Sequence, residues 1–268
     1  NPNTNPDMGA YEFDGLAGVA TDAGVAFLVS PATNGCYGAA ENLVVSVKNY
    51  GTASISNIPV TVIVSGAATQ TSNATYPGPL AAGASANFTV ATLNMLTAGT
   101  YSFNAYTSLA GDLNAPNDAM GTTTRTVFPI STIPTQVDFT LFSGANLTAI
   151  FPLWSEATGS VVPTGTTSAW TSQLNLNTPG NVTARLNMYG TIRNEWLVGP
   201  KFTATSTSQI TFDAAVTDFG STTLGDVMGS DDRVRVMVST DCGLTYAPVF
   251  TVSSTNSLTT SFSNFVVS

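Results

Sequence analysis

The sequence predicts an all-β protein, and three observations predict it. Short segments alternate apolar and polar residues with a period of two, as a strand with one buried face does. Gly, Asn and Pro punctuate these segments at close intervals, as turns between strands require. Hydrophobic residues reach 43% of the 268 residues, while charged residues make up 9% against a usual share of about 25%. Such a chain can bury apolar surface, so it is not of the disordered class. It is also long enough for two domains.

Residues 1–18 read as a leader. NPNTNP is turn-rich and cannot run as a strand interior. PDMGAYEFDG resembles the closing segment of right-handed parallel β-helix surface proteins; an ordinary extended leader is the alternative. Residues 19–130 carry the first sandwich. NLVVSVKNYG puts Leu43, Val45 and Val47 on one face, and IPVTVIVSG does the same with Val60, Val62 and Val64. ANFTVATL offers Phe88 and Val90; GTYSFNAYTSL offers Tyr101, Phe103 and Ala105. The segment 131–136 is a proline-bearing linker. From 137 to 268 a second β-domain shows the strands VDFTLF, NVTARLNMYG, EWLVGPKFTA, SQITFDAAV, DRVRVMVST and APVFTV.

Two resemblances follow from these pieces. Val47-Lys48-Asn49-Tyr50-Gly51 and Gly111-Asp112-Leu113-Asn114-Ala115-Pro116-Asn117-Asp118 resemble the CARDB-type immunoglobulin-like domains of bacterial surface proteins. Trp196-Leu197-Val198-Gly199-Pro200-Lys201, Phe212-Asp213-Ala214-Ala215, Asp231-Asp232-Arg233-Val234 and Val238-Ser239-Thr240-Asp241 resemble the choice-of-anchor J, or cleaved-adhesin, family. That family is a MAM-like β jelly roll, so the two resemblances together imply an Ig-like sandwich followed by a jelly roll. The family's opening acidic element corresponds here to DFTLFSGAN, which carries only Asp138. The family also continues for a strand or two, so the jelly roll is expected to be incomplete at Ser268.

Composition excludes several functions. The net charge is −9 with two Lys and five Arg, which disfavours nucleic acid and anionic membrane as partners. With no histidine, Ser-His-Asp and Cys-His catalysis and His-ligated zinc are all removed. No apolar run is long enough to span a bilayer. Lacking a signal peptide at its start, the chain reads as a segment of a larger exported protein. Cys36 and Cys242 make no CxxC pair; the missing cysteine framework favours two isolated residues over one long-range disulfide.

Four groups could carry chemistry. The loop TDFGSTTLGDVMGSDD crowds Asp218, Asp226, Asp231 and Asp232, and calcium would relieve their mutual repulsion. The cleaved-adhesin resemblance implies a structural calcium at Asp218 and Asp232, with Asp231 beside them; a solvated loop is the alternative. Asp112, Asn114, Asn117 and Asp118 are oxygen donors too, but they lack the Gly and final Glu of an EF-hand, and such corners form Asx-turns. Trp154 and Trp170 flank loops and are candidate ligand platforms, since aromatic faces stack on sugars and anchor interfaces. Ser239-Thr240-Asp241-Cys242-Gly243-Leu244-Thr245-Tyr246 resembles the Asp-box of sialidases. It occurs once, and a propeller needs it in nearly every blade, so a hairpin turn is expected. The expected function is a non-enzymatic extracellular binding segment that contacts glycan or a cell-surface protein, with the Ig-like domain as spacer. A stalk or filament subunit that self-associates and an accessory module of a secreted hydrolase are the alternatives. Other domains of the parent chain are expected neighbours.

Overall fold

The computed structural model describes residues 19–144, 147–174, 182–190, 192–219, 221 and 224–268. The leader 1–18 lies outside them. The all-β class is borne out. Among the described residues there are fifteen strands, and the only helices are single 3-10 turns. They separate into two units: 19–33 with 37–127, and 34–36 with the described residues from 128 onward.

The first unit is a seven-stranded sandwich. Its strands are β1 (Ala23–Ser30), β2 (Glu41–Asn49), β3 (Ile58–Gly66), β4 (Gln70–Tyr76), β5 (Ser85–Leu93), β6 (Gly99–Thr107) and β7 (Thr123–Val127). They form sheets of order β1-β2-β5 and β4-β3-β6-β7, antiparallel throughout. Period-two alternation turns one face of each central strand inward. Leu43, Val45 and Val47 on β2, Val62 and Val64 on β3, and Tyr101, Phe103 and Ala105 on β6 are fully buried. Phe88, on the edge strand β5, is only half-buried and packs edge-on against Tyr76 at 5.6 Å.

Asn49 closes the far end of β2. Fully buried, it donates from Nδ2 to the carbonyls of Ala53 (2.8 Å) and Leu80 (2.9 Å), and its Oδ1 accepts from Gly51 N–H (2.9 Å). One side chain thus bonds three backbone groups and leaves none of its own polar atoms unpaired, which is the condition for burying a polar residue.

The second unit holds β8 (Ser155–Thr158), β9 (Thr171–Leu174), β10 (Val182–Arg185), β11 (Glu195–Val198), β12 (Ile210–Ala214), β13 (Val234–Val238), β14 (Ala247–Val252) and β15 (Ser263–Val267). These make four two-stranded antiparallel ladders, β8–β11, β9–β10, β12–β15 and β13–β14. Backbone pairing among the described residues does not join them into the two continuous sheets of a jelly roll. Side chains do link two ladders: Phe212 stacks on Phe265 at 5.2 Å, and Phe250 packs on Phe265 at 5.6 Å. Ser131, at the start of the proline-bearing stretch, donates from its N–H to Lys201 O at 2.7 Å and bridges Phe202 in parallel.

The expectation of two isolated cysteines is corrected. Cys36 and Cys242 form a disulfide, with Cα atoms 5.1 Å apart across a sequence separation of 206. Nothing local in the sequence signals a pair so distant; only the fold brings the two together.

Candidate functional site

The β8–β11 ladder organises the second unit's polar chemistry. Its register sets Leu197 opposite Glu156 and Glu195 opposite Thr158. Directly opposed residues share a face, and so do residues two apart, so Glu156 and Glu195 lie diagonally on one face. Both carboxylates reach the segment just ahead of β9. Glu156 is 5% exposed; one oxygen accepts the Leu147 N–H and the other the Ser168 hydroxyl at 2.6 Å. Glu195 accepts the Ala169 N–H at 2.9 Å, and the Arg193 guanidinium sits 3.8 Å from its second oxygen. The Ser168 hydroxyl in turn accepts the Trp170 N–H at 3.1 Å. Two glutamates therefore clasp residues 168–170 and fix the base of Trp170.

Both tryptophans expected as ligand platforms are half-buried. The Trp154 ring packs over Gly199, its atoms 3.6 Å from where a Cβ on that glycine would stand. By alternation Trp154 and Gly199 continue the Glu156 and Glu195 face. The indole Nε1–H of Trp170 is buried and has no hydrogen-bond partner among the described residues. An orphaned buried donor is uncommon, and leaving one unpaired costs about 1–3 kcal/mol. Trp196, one residue out of phase, behaves differently. Its Nε1–H donates to Gly159 O at 2.6 Å, and its ring meets Tyr246 edge-on at 5.2 Å.

The loop acids serve mostly as local acceptors. Asp218 is exposed and accepts the N–H of Phe219 at 2.8 Å; Asp226, also exposed, accepts that of Val227 at 2.7 Å. Asp232 accepts Gly229 N–H at 3.1 Å. A Cβ on Gly229 would stand 2.7 Å from an Asp232 oxygen and 3.2 Å from an Asp231 oxygen, so these two carboxylates close around one turn. Among the described residues no group of three or more acidic or cysteine side chains is placed to hold a metal ion.

In the first unit, the corner after β6 forms an Asx-turn: Asp112 Oδ1 accepts Asn114 N–H at 2.9 Å. Its other oxygen accepts Ala23 N–H at 2.7 Å. Buried Asp22 takes Nδ2–H bonds from Asn114 and Asn117, both at 2.9 Å. Burial, then the neighbouring Asp112 and Asp22, push the Asp118 carboxyl above its ordinary value. A raised carboxyl pKa adds stability in acid that is lost as pH rises through the folded value. Asp118→Asn is therefore expected to raise the urea midpoint at pH 7 and to match the parent near pH 3. A lower midpoint at pH 7 would mean that burial and the neighbouring carboxylates do not disfavour the charged form.

The Asp-box stretch is the β13–β14 hairpin turn. Asp241 accepts Thr245 N–H at 2.9 Å and the Thr245 hydroxyl at 2.6 Å, while the Ser239 hydroxyl lies 2.8 Å away. Ser239 Oγ also accepts Gly243 N–H at 2.7 Å. These bonds, led by the Thr245 hydroxyl, hold the Asp241 carboxyl down to about 2. Its contribution is present above the unfolded value of about 4 and is lost as pH falls toward 2. The turn holds both Cys242 (φ 59°) and Gly243 (φ 93°) in the left-handed region, which glycine enters freely and cysteine rarely.

Residues 27–119 match the CARDB family, an Ig-like domain family often found in extracellular proteins. No curated protein and no solved structure matches the chain. No described helix is long and apolar enough to cross a membrane.

Proposed function

We propose that this chain is a non-enzymatic binding segment of a secreted bacterial surface protein. The first unit acts as spacer, and the second contacts a glycan or a cell-surface protein through Trp154 and Trp170. The observation that carries the reading is Trp170, a half-buried ring that follows a segment held by two glutamates. An aromatic fixed at its base suits stacking on a sugar ring or anchoring a protein contact. The adhesive, jelly-roll reading of the second unit rests on the resemblance of its four sequence pieces to the cleaved-adhesin family. Calcium at Asp218 and Asp232, with Asp231 beside them, belongs to the same reading.

A glycan array probed with the whole chain, with and without calcium, tests this. Trp170→Ala and Trp154→Ala are each expected to weaken any binding by about 30-fold, the size of a central aromatic anchor. Tyr189→Ala, on a residue 88% exposed, should leave it unchanged. Absence of hits under every condition, or binding indifferent to both tryptophans, would refute the glycan reading.

A second reading, a self-associating stalk or filament subunit, is favoured by the exposed apolar side chains of the second unit. Ile192 is 96% exposed, Val227 84% and Phe219 72%. Side chains this exposed offer apolar surface for a second copy to cover. A mass by light scattering that rises with concentration supports this reading; a constant monomer mass removes it.

A further inference from the structure

We infer that the disulfide is a covalent shortcut that takes most of the chain out of any tension applied between its ends. Covalent topology alone requires this. Cys36 precedes β2 and Cys242 follows β13, so every strand from β2 to β13 lies inside the closed loop. Of the described strands, β1, β14 and β15 lie outside it. Force entering before β1 passes along that strand to Cys36, crosses the S–S bond to Cys242, and leaves through β14 and β15. Once the ladders β1–β2, β13–β14 and β12–β15 have opened, the peptide bonds from Tyr37 to Asp241 carry none of it.

β1 itself has little length to give. It already runs extended from Ala23 to Ser30, so straightening it adds little contour. Trp154, Trp170, Glu156 and Glu195 all fall within the loop. A ligand held there would sit on backbone that lies outside the covalent load path. The shortcut exists whether or not that face binds a glycan.

The bond is anchored on both sides. Cys242 sits in the turn fixed by Asp241, Thr245 and Ser239. Segment 34–36 interrupts the first unit between β1 and β2 but belongs to the second. The chain therefore passes between the units at three peptide bonds, Thr33–Asn34, Cys36–Tyr37 and Val127–Phe128, not at a single linker.

Single-molecule pulling of the full chain, with handles at its two ends, reads this directly. The sequence separation of 206 at about 3.5 Å per residue amounts to about 70 nm of contour. The oxidised chain is expected to stop about 70 nm short of the Cys36→Ser/Cys242→Ser chain. Adding a phosphine reductant, which leaves two thiols and takes up the oxygen of one water, should release that length in the oxidised sample. Contour length depends on connectivity and not on folding, so a variant that folds poorly still gives a valid reading. Equal extensions for the oxidised and serine chains would overturn the inference. So would peptide mapping that finds Cys36 and Cys242 unpaired in the untreated protein.

Discussion

Phe103→Ala is expected to lower the stability of the first unit by about 3–5 kcal/mol, the cost of truncating a buried phenylalanine. Phe103 is fully buried at the centre of β6, opposite Val64 of β3 and Thr123 of β7. The change removes a whole ring from a core formed by two sheets that cannot close on the space, because backbone pairing fixes their strands. Domains of this size are stable by only about 5–15 kcal/mol, so the loss approaches a large part of the total. In a thermal melt it amounts to a fall of more than about 10 °C. Leu96→Ala provides the contrast. Leu96 is 63% exposed, and its loss should change stability by no more than about 0.5 kcal/mol. Urea unfolding of the full chain, followed through a probe in the first unit, distinguishes the two. A Phe103→Ala midpoint equal to that of Leu96→Ala would mean that β6 is not the centre of the core.

Central strands were legible in the sequence because one face of each is buried and apolar residues recur along it at period two. Val45, Val62 and Phe103 recur at period two, and all are fully buried. Edge strands were not. β4, QTSNATY, carries a single large apolar residue; it is a strand because β3 offers it a full ladder from Ile58↔Tyr76 to Val64↔Gln70. β1 breaks its own alternation. Two register irregularities against β2 leave Phe27 57% exposed, so its pattern misleads. Of the site, Trp154 and Trp170 could be singled out as aromatics beside loops. The Glu156–Glu195 clasp could not, because it exists only once the register sets Leu197 opposite Glu156. Four glutamates in 268 residues was the available clue, since two of them sit within strands of the second unit. Crowding among Asp218, Asp226, Asp231 and Asp232 reads in the sequence as a demand for a cation. The chain answers part of it with backbone N–H donors, at Phe219, Val227 and Gly229.

Reducing the disulfide is expected to cost up to about 5 kcal/mol, the chain-entropy value for a loop closed across 206 residues. The bond acts on the unfolded chain. Without it, the unfolded state gains every arrangement in which Cys36 and Cys242 lie apart, while the folded state keeps its other contacts. A short loop would yield less, because closure entropy grows with the logarithm of length. The same reasoning fixes a second observable. An unfolded chain pinned across most of its length is more compact and exposes less surface, so the oxidised protein should show a smaller urea m-value than the reduced one. Cys36→Ser/Cys242→Ser should reproduce the reduced protein in both midpoint and slope. A fall in midpoint with no change in slope would instead place the effect in the folded state, in the turn where Asp241 holds Cys242 at positive φ. Asp241→Asn then separates the two causes. It loosens that turn while leaving the bond intact, so it should lower the midpoint without raising the m-value toward that of the reduced chain.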